Sequence, residues 1–206
     1  MILLAVNFLT TRARSPTVQD RGKLYRVLEY LNSDPALPMI LRVGEEFQLY
    51  TFADASHAIH RDMKGHNGVI IQLGDASVFH KSCKQKMNCK SSTEAELVNL
   101  SDSVPMTIWC NNFIRELGYE MPPVFMLQDN VSTITMVNKG THIGESTRHI
   151  DIRFFYIHDY IEKGLIITGH CPTDCMSADG HSKPTQGAQF TYCSSQMLGR
   201  SRRTNK

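Results

Sequence analysis

Three short segments of strand character follow one another between residues 46 and 83, and the next segment is a single long helical repeat. Residues 46 to 54 alternate through Phe47, Leu49 and Thr51. Gly65 to Gly68 (GHNG) reads as a turn, Val69 to Leu73 as a second strand, Gly74-Asp75 as another turn, and Ser77 to Cys83 as a third strand. Strands joined by such short links pair antiparallel. From Ser91 to Leu117 the spacing changes to that of a helix, with Leu97, Leu100, Val104 and Ile108 on one face; Pro105 removes a backbone bond within it and predicts a kink, and Gly118 stops it. After it come a short strand at Val124 to Leu127, helices at Val131 to Asn138 and His149 to Lys163, a strand at Leu165 to Gly169 and a last helix. Strands separated by helices join a sheet in parallel. The predicted architecture is therefore α/β, a mixed five-stranded sheet of three antiparallel strands and two parallel additions, with helices on both faces.

The flanks read differently. Residues 17 to 31 place Leu24, Val27, Leu28 and Leu31 at helical spacing before Pro35 and Pro38. Residues 1–45 are thus a largely helical preceding segment and 46–190 the main domain. Residues 191–206, with Arg202, Arg203 and Lys206 at their end, form a basic tail expected to be disordered. Met1 to Leu9 is apolar but lacks the basic flank of a secretory signal, and reads as a strand or short helix cut from a larger protein. No run approaches the ~20 apolar residues of a membrane span, so no membrane partner is expected. Six irregularly spaced cysteines argue for reduced thiols in an intracellular protein, and the spacings 83 to 89 and 171 to 175 do not match the paired ligands of structural zinc.

The acids carry the chemistry. Asp54 sits in FADAS, at the end of a strand whose other residues serve a core, where an isolated charge is costly unless it is paired or binds a metal. Asp129 ends the fourth strand. If the two strands are parallel neighbours, both carboxylates lie at one edge of the sheet, where open sheets place their sites. At the start of the long helix, SSTEAEL, Ser91 and Glu94 match a capping box, which leaves Glu96 to meet the strand acids. Such carboxylates repel unless cations lie between them, and an all-oxygen set suits Mg²⁺ or Mn²⁺. Two such ions are the arrangement that supports phosphodiester hydrolysis.

The runs ADAS (53–56), KSCKQ (81–85), SSTEAELVNLSDSV (91–104), QDN (128–130), STRHIDIRFFYIHDYIEKG (146–164) and ADGHSKP (178–184) together resemble the ribonuclease H domain that closes the Pol polyprotein of copia-type retrotransposons. FLTTRARSPT and KLYRVLEYL are similar to the segment linking reverse transcriptase to that domain. The resemblance implies a ribonuclease H-like fold in a fragment or relic of such a polyprotein. It implies cleavage of the RNA strand of an RNA–DNA hybrid, with two Mg²⁺ (or Mn²⁺) ions held by Asp54, Glu96, Asp129 and Asp179. Reverse transcriptase and integrase portions of the same polyprotein would be its partners. A cytoplasmic location, within a virus-like particle if the element is active, or a nuclear one, is implied with them.

A hybrid can be recognised by groove shape and 2′-hydroxyls. Among Lys81, Lys84, Lys86 and Lys90 of the acid-free run HKSCKQKMNCK, Lys84 and Lys86 are the candidate phosphate contacts, with Asn130 beside the metal site. Departures from the family bear on activity. Gly180 and His181 stand where the family carries apolar residues that seat the last helix, which predicts a frayed helix and a poorly held Asp179. His57, Ala58 and Ile59 replace the usual Trp-Ala-Gly sequel to the first acid. His170 precedes CPTD, in a spot where a histidine assists product release in some ribonucleases H, but as one of nine histidines near a strand end it is read as incidental, and His149 is read as packing or orienting its helix. The alternative to an active nuclease is a degenerate domain that binds nucleic acid with little turnover.

Overall fold

The computed structural model describes residues 2–43, 47–140 and 148–200, with the side chains of residues 148 and 149 excepted. The expected strand start at residue 46, the side chain of His149 and the charged end of the tail, 201–206, fall outside these residues. Among the described residues five strands form one sheet: β1 (Leu49–Ser56), β2 (His66–Leu73), β3 (Ala76–Lys84), β4 (Val124–Gln128) and β5 (Ile166–His170). Their order across the sheet is β3-β2-β1-β4-β5. β1 pairs antiparallel with β2 and β2 with β3, whereas β4 joins β1 in parallel and β5 joins β4 in parallel. The mixed sheet predicted from the spacing of turns and helices is thus present.

The helices are α1 (Leu3–Thr10), α2 (Val18–Ser33), α3 (Ser92–Glu116), α4 (Val131–Lys139), α5 (Arg148–Glu162), α6 (Asp179–Ser182) and α7 (Gly187–Met197). On one face of the sheet Leu97, Leu100 and Val104 of α3 pack with Ala53, Met126, Ile166 and the α5 residues Phe154 and Ile157. Ile108 closes the edge of this cluster. On the other face Phe52 and Ile70 meet Met176, Ala178, Cys193 and Met197. Burial of both faces explains why β1, the central strand, reads as a nearly continuous buried run. α3 continues through Pro105 without a break, and Gly118 (φ +90°) ends it in a backbone conformation that glycine adopts readily.

Three expectations need correction. The GHNG turn is instead the start of β2, and the chain reverses earlier, across residues 57–65, where Ala58 and Met63 take positive φ. Gly68 serves close approach: a Cβ there would lie 2.6 Å from the Ala178 carbonyl oxygen and 2.8 Å from the Ser182 nitrogen. The tail is not disordered from residue 191, because α7 runs across that boundary and buries Cys193 and Met197 against the sheet. Nor is the segment around Asp179 loosely seated. α6 is a single turn, but Asp179, His181 and Ser182 are all buried, and Gly180 lets it approach α7, where a Cβ would stand 3.0 Å from Met197 Cε.

In the preceding segment, α2 begins at a reciprocal capping box of Thr17 and Asp20. Its stripe of Leu24, Leu28 and Leu31 remains about half exposed. The segment joins the main body through the Ile40 N–H, which donates to the Leu198 carbonyl at 2.8 Å, and through an edge-on contact of Tyr30 with Phe190. All six cysteines are free.

Candidate active site

The parallel register of β1 and β4 sets Phe52 opposite Leu127. Asp54 and Asp129 each lie two residues further on, so both emerge at the carboxyl-end edge of the same strand pair. α3 begins over that edge. Ser91 caps it, accepting from the Glu94 N–H at 3.2 Å, and the Glu94 carboxylate accepts from the Lys90 N–H at 2.6 Å. Glu94 therefore closes the helix start, reaching one residue beyond the cap, and Glu96 is left to face the sheet. Oxygens of Asp54, Glu96 and Asp129 all lie within 4.8 Å of one another. This is the one group of three or more potential metal-ligating side chains so gathered among the described residues.

Burial makes the cluster demanding. Glu96 is 5% exposed; burial, and then the Asp54 charge, push its pKa up to about 9, although the Ala55 N–H and the Gln128 amide both donate to it. Asp54 is 2% exposed and also raised by burial, with Lys183 and Ser182 acting against that rise. Carboxyls that resist losing their protons in such a site gain from a divalent cation, and carboxylate oxygens suit a hard one.

Asp179 is not part of the 4.8 Å group. It is linked to Asp54 by Lys183, whose Nζ is 2.9 Å from Asp179 Oδ1 and 3.6 Å from Asp54 Oδ1. Burial and then the Asp54 charge raise its pKa to about 6.

Several supporting residues were not singled out from the sequence. Gln128, fully buried, donates from Nε2 to Glu96 at 2.9 Å, and its Oε1 accepts from the backbone N–H of Asp129 at 2.7 Å. It thus ties the helix acid to the strand acid. Asn99 donates to the carbonyls of Asp54 (2.8 Å) and Gly68 (3.1 Å), fixing α3 to the antiparallel pair. Thr173 donates to Asp129, and Ser182 donates to Asp54. Gln128 and Lys183 lie inside the QDN and ADGHSKP runs, but neighbouring a predicted acid in sequence does not reveal which way a side chain turns.

Of the candidate nucleic-acid contacts, Lys84 is paired with Asp62 at 2.7 Å. Lys86 is exposed just beyond β3. Asn130 caps α4, its Oδ1 accepting from the Thr133 N–H at 3.1 Å. His170 is exposed at the end of β5, and His57 lies 3.0 Å from the Cys89 carbonyl.

No profile of a protein family matches the chain. Over 199 residues, 95% of its length, it is 29% identical to the retrovirus-related Pol polyprotein from transposon RE1 of Arabidopsis thaliana. Over 189 residues, 90% of its length, it is 30% identical to the corresponding polyprotein from transposon RE2 of the same plant. It spans only 13% of the length of either. Among solved structures, LC11-RNase H1, isolated from compost, superposes with a TM-score of 0.50 at 14% identity, covering 66% of this chain and 92% of that one. The fold is that of ribonuclease H. In this ribonuclease H fold the three gathered carboxylates come from β1, the first turns of α3 and the end of β4. The transposon Pol polyproteins are its homologues.

Proposed function

We propose that this chain is a divalent-metal-dependent ribonuclease H that hydrolyses the RNA strand of RNA–DNA hybrids as part of a copia-type retrotransposon Pol polyprotein. The observation that carries this reading is the meeting of Asp54, Glu96 and Asp129 within 4.8 Å at the carboxyl-end edge of the sheet. The donor set is all oxygen, which fits Mg²⁺ or Mn²⁺. Asp54, Glu96 and Asp129 would hold one ion, and Asp179 with Asp54 a second. Bound there, such ions supply an activated water and charge to stabilise the departing 3′ oxygen.

The chain's own residues do the rest. Gln128 and the Ala55 N–H fix the Glu96 carboxyl, while Asn99 locks the α3 start against β1 and β2, so the acids keep their places without a ligand. Lys84, on leaving Asp62, and Lys86 would contact phosphates beside the cluster. Asn130, whose carbonyl is committed to the α4 cap, would offer its amide to the backbone of the hybrid.

The test is cleavage of an end-labelled RNA–DNA hybrid in Mg²⁺ by the parent chain and by Asp54→Asn. The proposal expects RNA-strand products from the parent alone. Equal, negligible signals from two folded proteins that still bind the hybrid would support the binding-module alternative.

A further inference from the structure

Asp54 belongs to two groupings at once. With Glu96 and Asp129 it forms the carboxylate cluster, and with Asp179 it flanks the Lys183 ammonium. Lys183 comes from the residue just past α6, one helical turn beyond Asp179. Its side chain is 39% exposed, whereas those of the two acids it joins are 3% exposed. A buried pair of carboxylates thus shares one ammonium, whose flexible stem has a route to solvent.

We propose that the Lys183 ammonium fills the second of two cation positions in the free protein, so that one divalent ion binds at Asp54, Glu96 and Asp129. A second then binds between Asp54 and Asp179 only once Lys183 has swung out. This rests on the metal-dependent reading above and specifies how the site loads.

The surroundings favour such an exchange. The carboxylates have anchors other than Lys183: Ser182 donates to Asp54, and Gln189 donates to Asp179 Oδ2 at 3.3 Å. The acids therefore hold station while the lysine leaves. Asp179 Oδ1 meets the Lys183 ammonium at 2.9 Å, and among the described residues no other donor reaches that oxygen, so it is held by the cation alone. An ammonium and a divalent ion cannot share one gap between two carboxylates, because like charges at that separation repel. A polyanion that draws the ammonium to one of its phosphates frees the gap. By linkage, polyanion binding and uptake of the second ion then reinforce one another.

The count of bound ions tests this without any cleavage assay. Mn²⁺ binding to the full chain, free of nucleic acid, is followed by calorimetry and by loss of the free-ion electron paramagnetic resonance signal. One ion per chain is expected for the parent and for Lys183→Arg. Two are expected for Lys183→Ala, or for Lys183→Gln if the alanine variant proves unfolded by circular dichroism. Thermal unfolding should show a larger Mn²⁺-dependent rise in Tm for the charge-removing variant than for the parent. Equal counts and affinities in all variants would overturn the role of Lys183 and leave the metal-nuclease reading standing. No Mn²⁺ binding by any of them would overturn both.

Discussion

Asp54 and Asp129 stand two residues beyond Phe52 and Leu127, which face each other across the parallel β1/β4 pair. The parallel register brings both acids to the same edge of the sheet, and because side chains alternate along a strand, equal two-residue offsets put them on the same face. Their meeting follows from register alone, and Glu96 completes the group from the helix above. Loss of any one of the three should therefore disable the same function. Asp54→Asn, Glu96→Gln and Asp129→Asn are each expected to lower hybrid cleavage by about 10²- to 10³-fold, comparable to losing one electrostatic stabiliser of a transition state. Quantified product formation under single-turnover conditions checks this, with unchanged far-ultraviolet circular dichroism as the control.

Glu96 and Asp179 set a pH dependence on the metal-free protein. The folded-state pKa of Glu96 is raised to about 9 and that of Asp179 to about 6, above their ordinary values. The folded state thus binds protons that the unfolded chain has already released, and stability is lost as pH rises from the ordinary carboxyl range through these values. Without Mg²⁺, Tm should fall between pH 6 and pH 9, and Glu96→Gln should flatten that fall. Added Mg²⁺ should raise Tm more at pH 8.5 than at pH 5.5. Differential scanning calorimetry across this grid decides it; an Mg²⁺ effect independent of pH would contradict the assignment.

A separate group of histidines works in the opposite direction. His60 Nε2 lies 3.0 Å from His66 Nδ1, His66 reaches Ser82 Oγ at 2.8 Å, and His80 lies 3.0 Å from His181 Nε2. Burial lowers His66 and His80 to about 4 and His181 to about 3. The unfolded chain then takes up protons that the folded one refuses, so stability should decline as pH falls from about 6.5 toward 4. His181→Leu removes one of these groups and should weaken the slope over that interval. Acid unfolding followed by circular dichroism at fixed ionic strength provides the measurement.

At Gly68 the sheet and the backbone of α6 approach without room for a side chain. A Cβ there would press on the backbone at Ala178 and Ser182, next to the residues that hold Asp54. Gly68→Ala should cost about 1–3 kcal/mol, the usual range for overpacking a tight site. It should weaken Mn²⁺ affinity as α6 is pushed away. Urea unfolding and metal titration report the two effects separately, and an unchanged midpoint would show that α6 yields freely.

Phe154 anchors the other face, fully buried among Leu97, Leu100 and Ile157. Phe154→Ala is expected to cost about 3–5 kcal/mol. Because it lies in the core beneath α3 and not at the carboxylate edge, surviving folded protein should retain its Mn²⁺ stoichiometry.

By itself the amino-acid order determined the kinds of element, their succession and hence the mixed sheet, because alternation and helical spacing are local consequences of which residues seek burial. It also separated Glu94 from Glu96, since a cap is a local device and Ser91 announces it. The tertiary structure alone decided what long-range approach governs. Gly68 reads as a turn residue until α6 is laid against it, and Gly180 reads as a weak point until α7 is. Gln128 becomes the tie between two acids, and Lys183 the cation between two others, only when strands and helices distant in the chain converge. Spacing along a chain records which face a side chain shares with its neighbours; which groups from elsewhere meet it is set by packing.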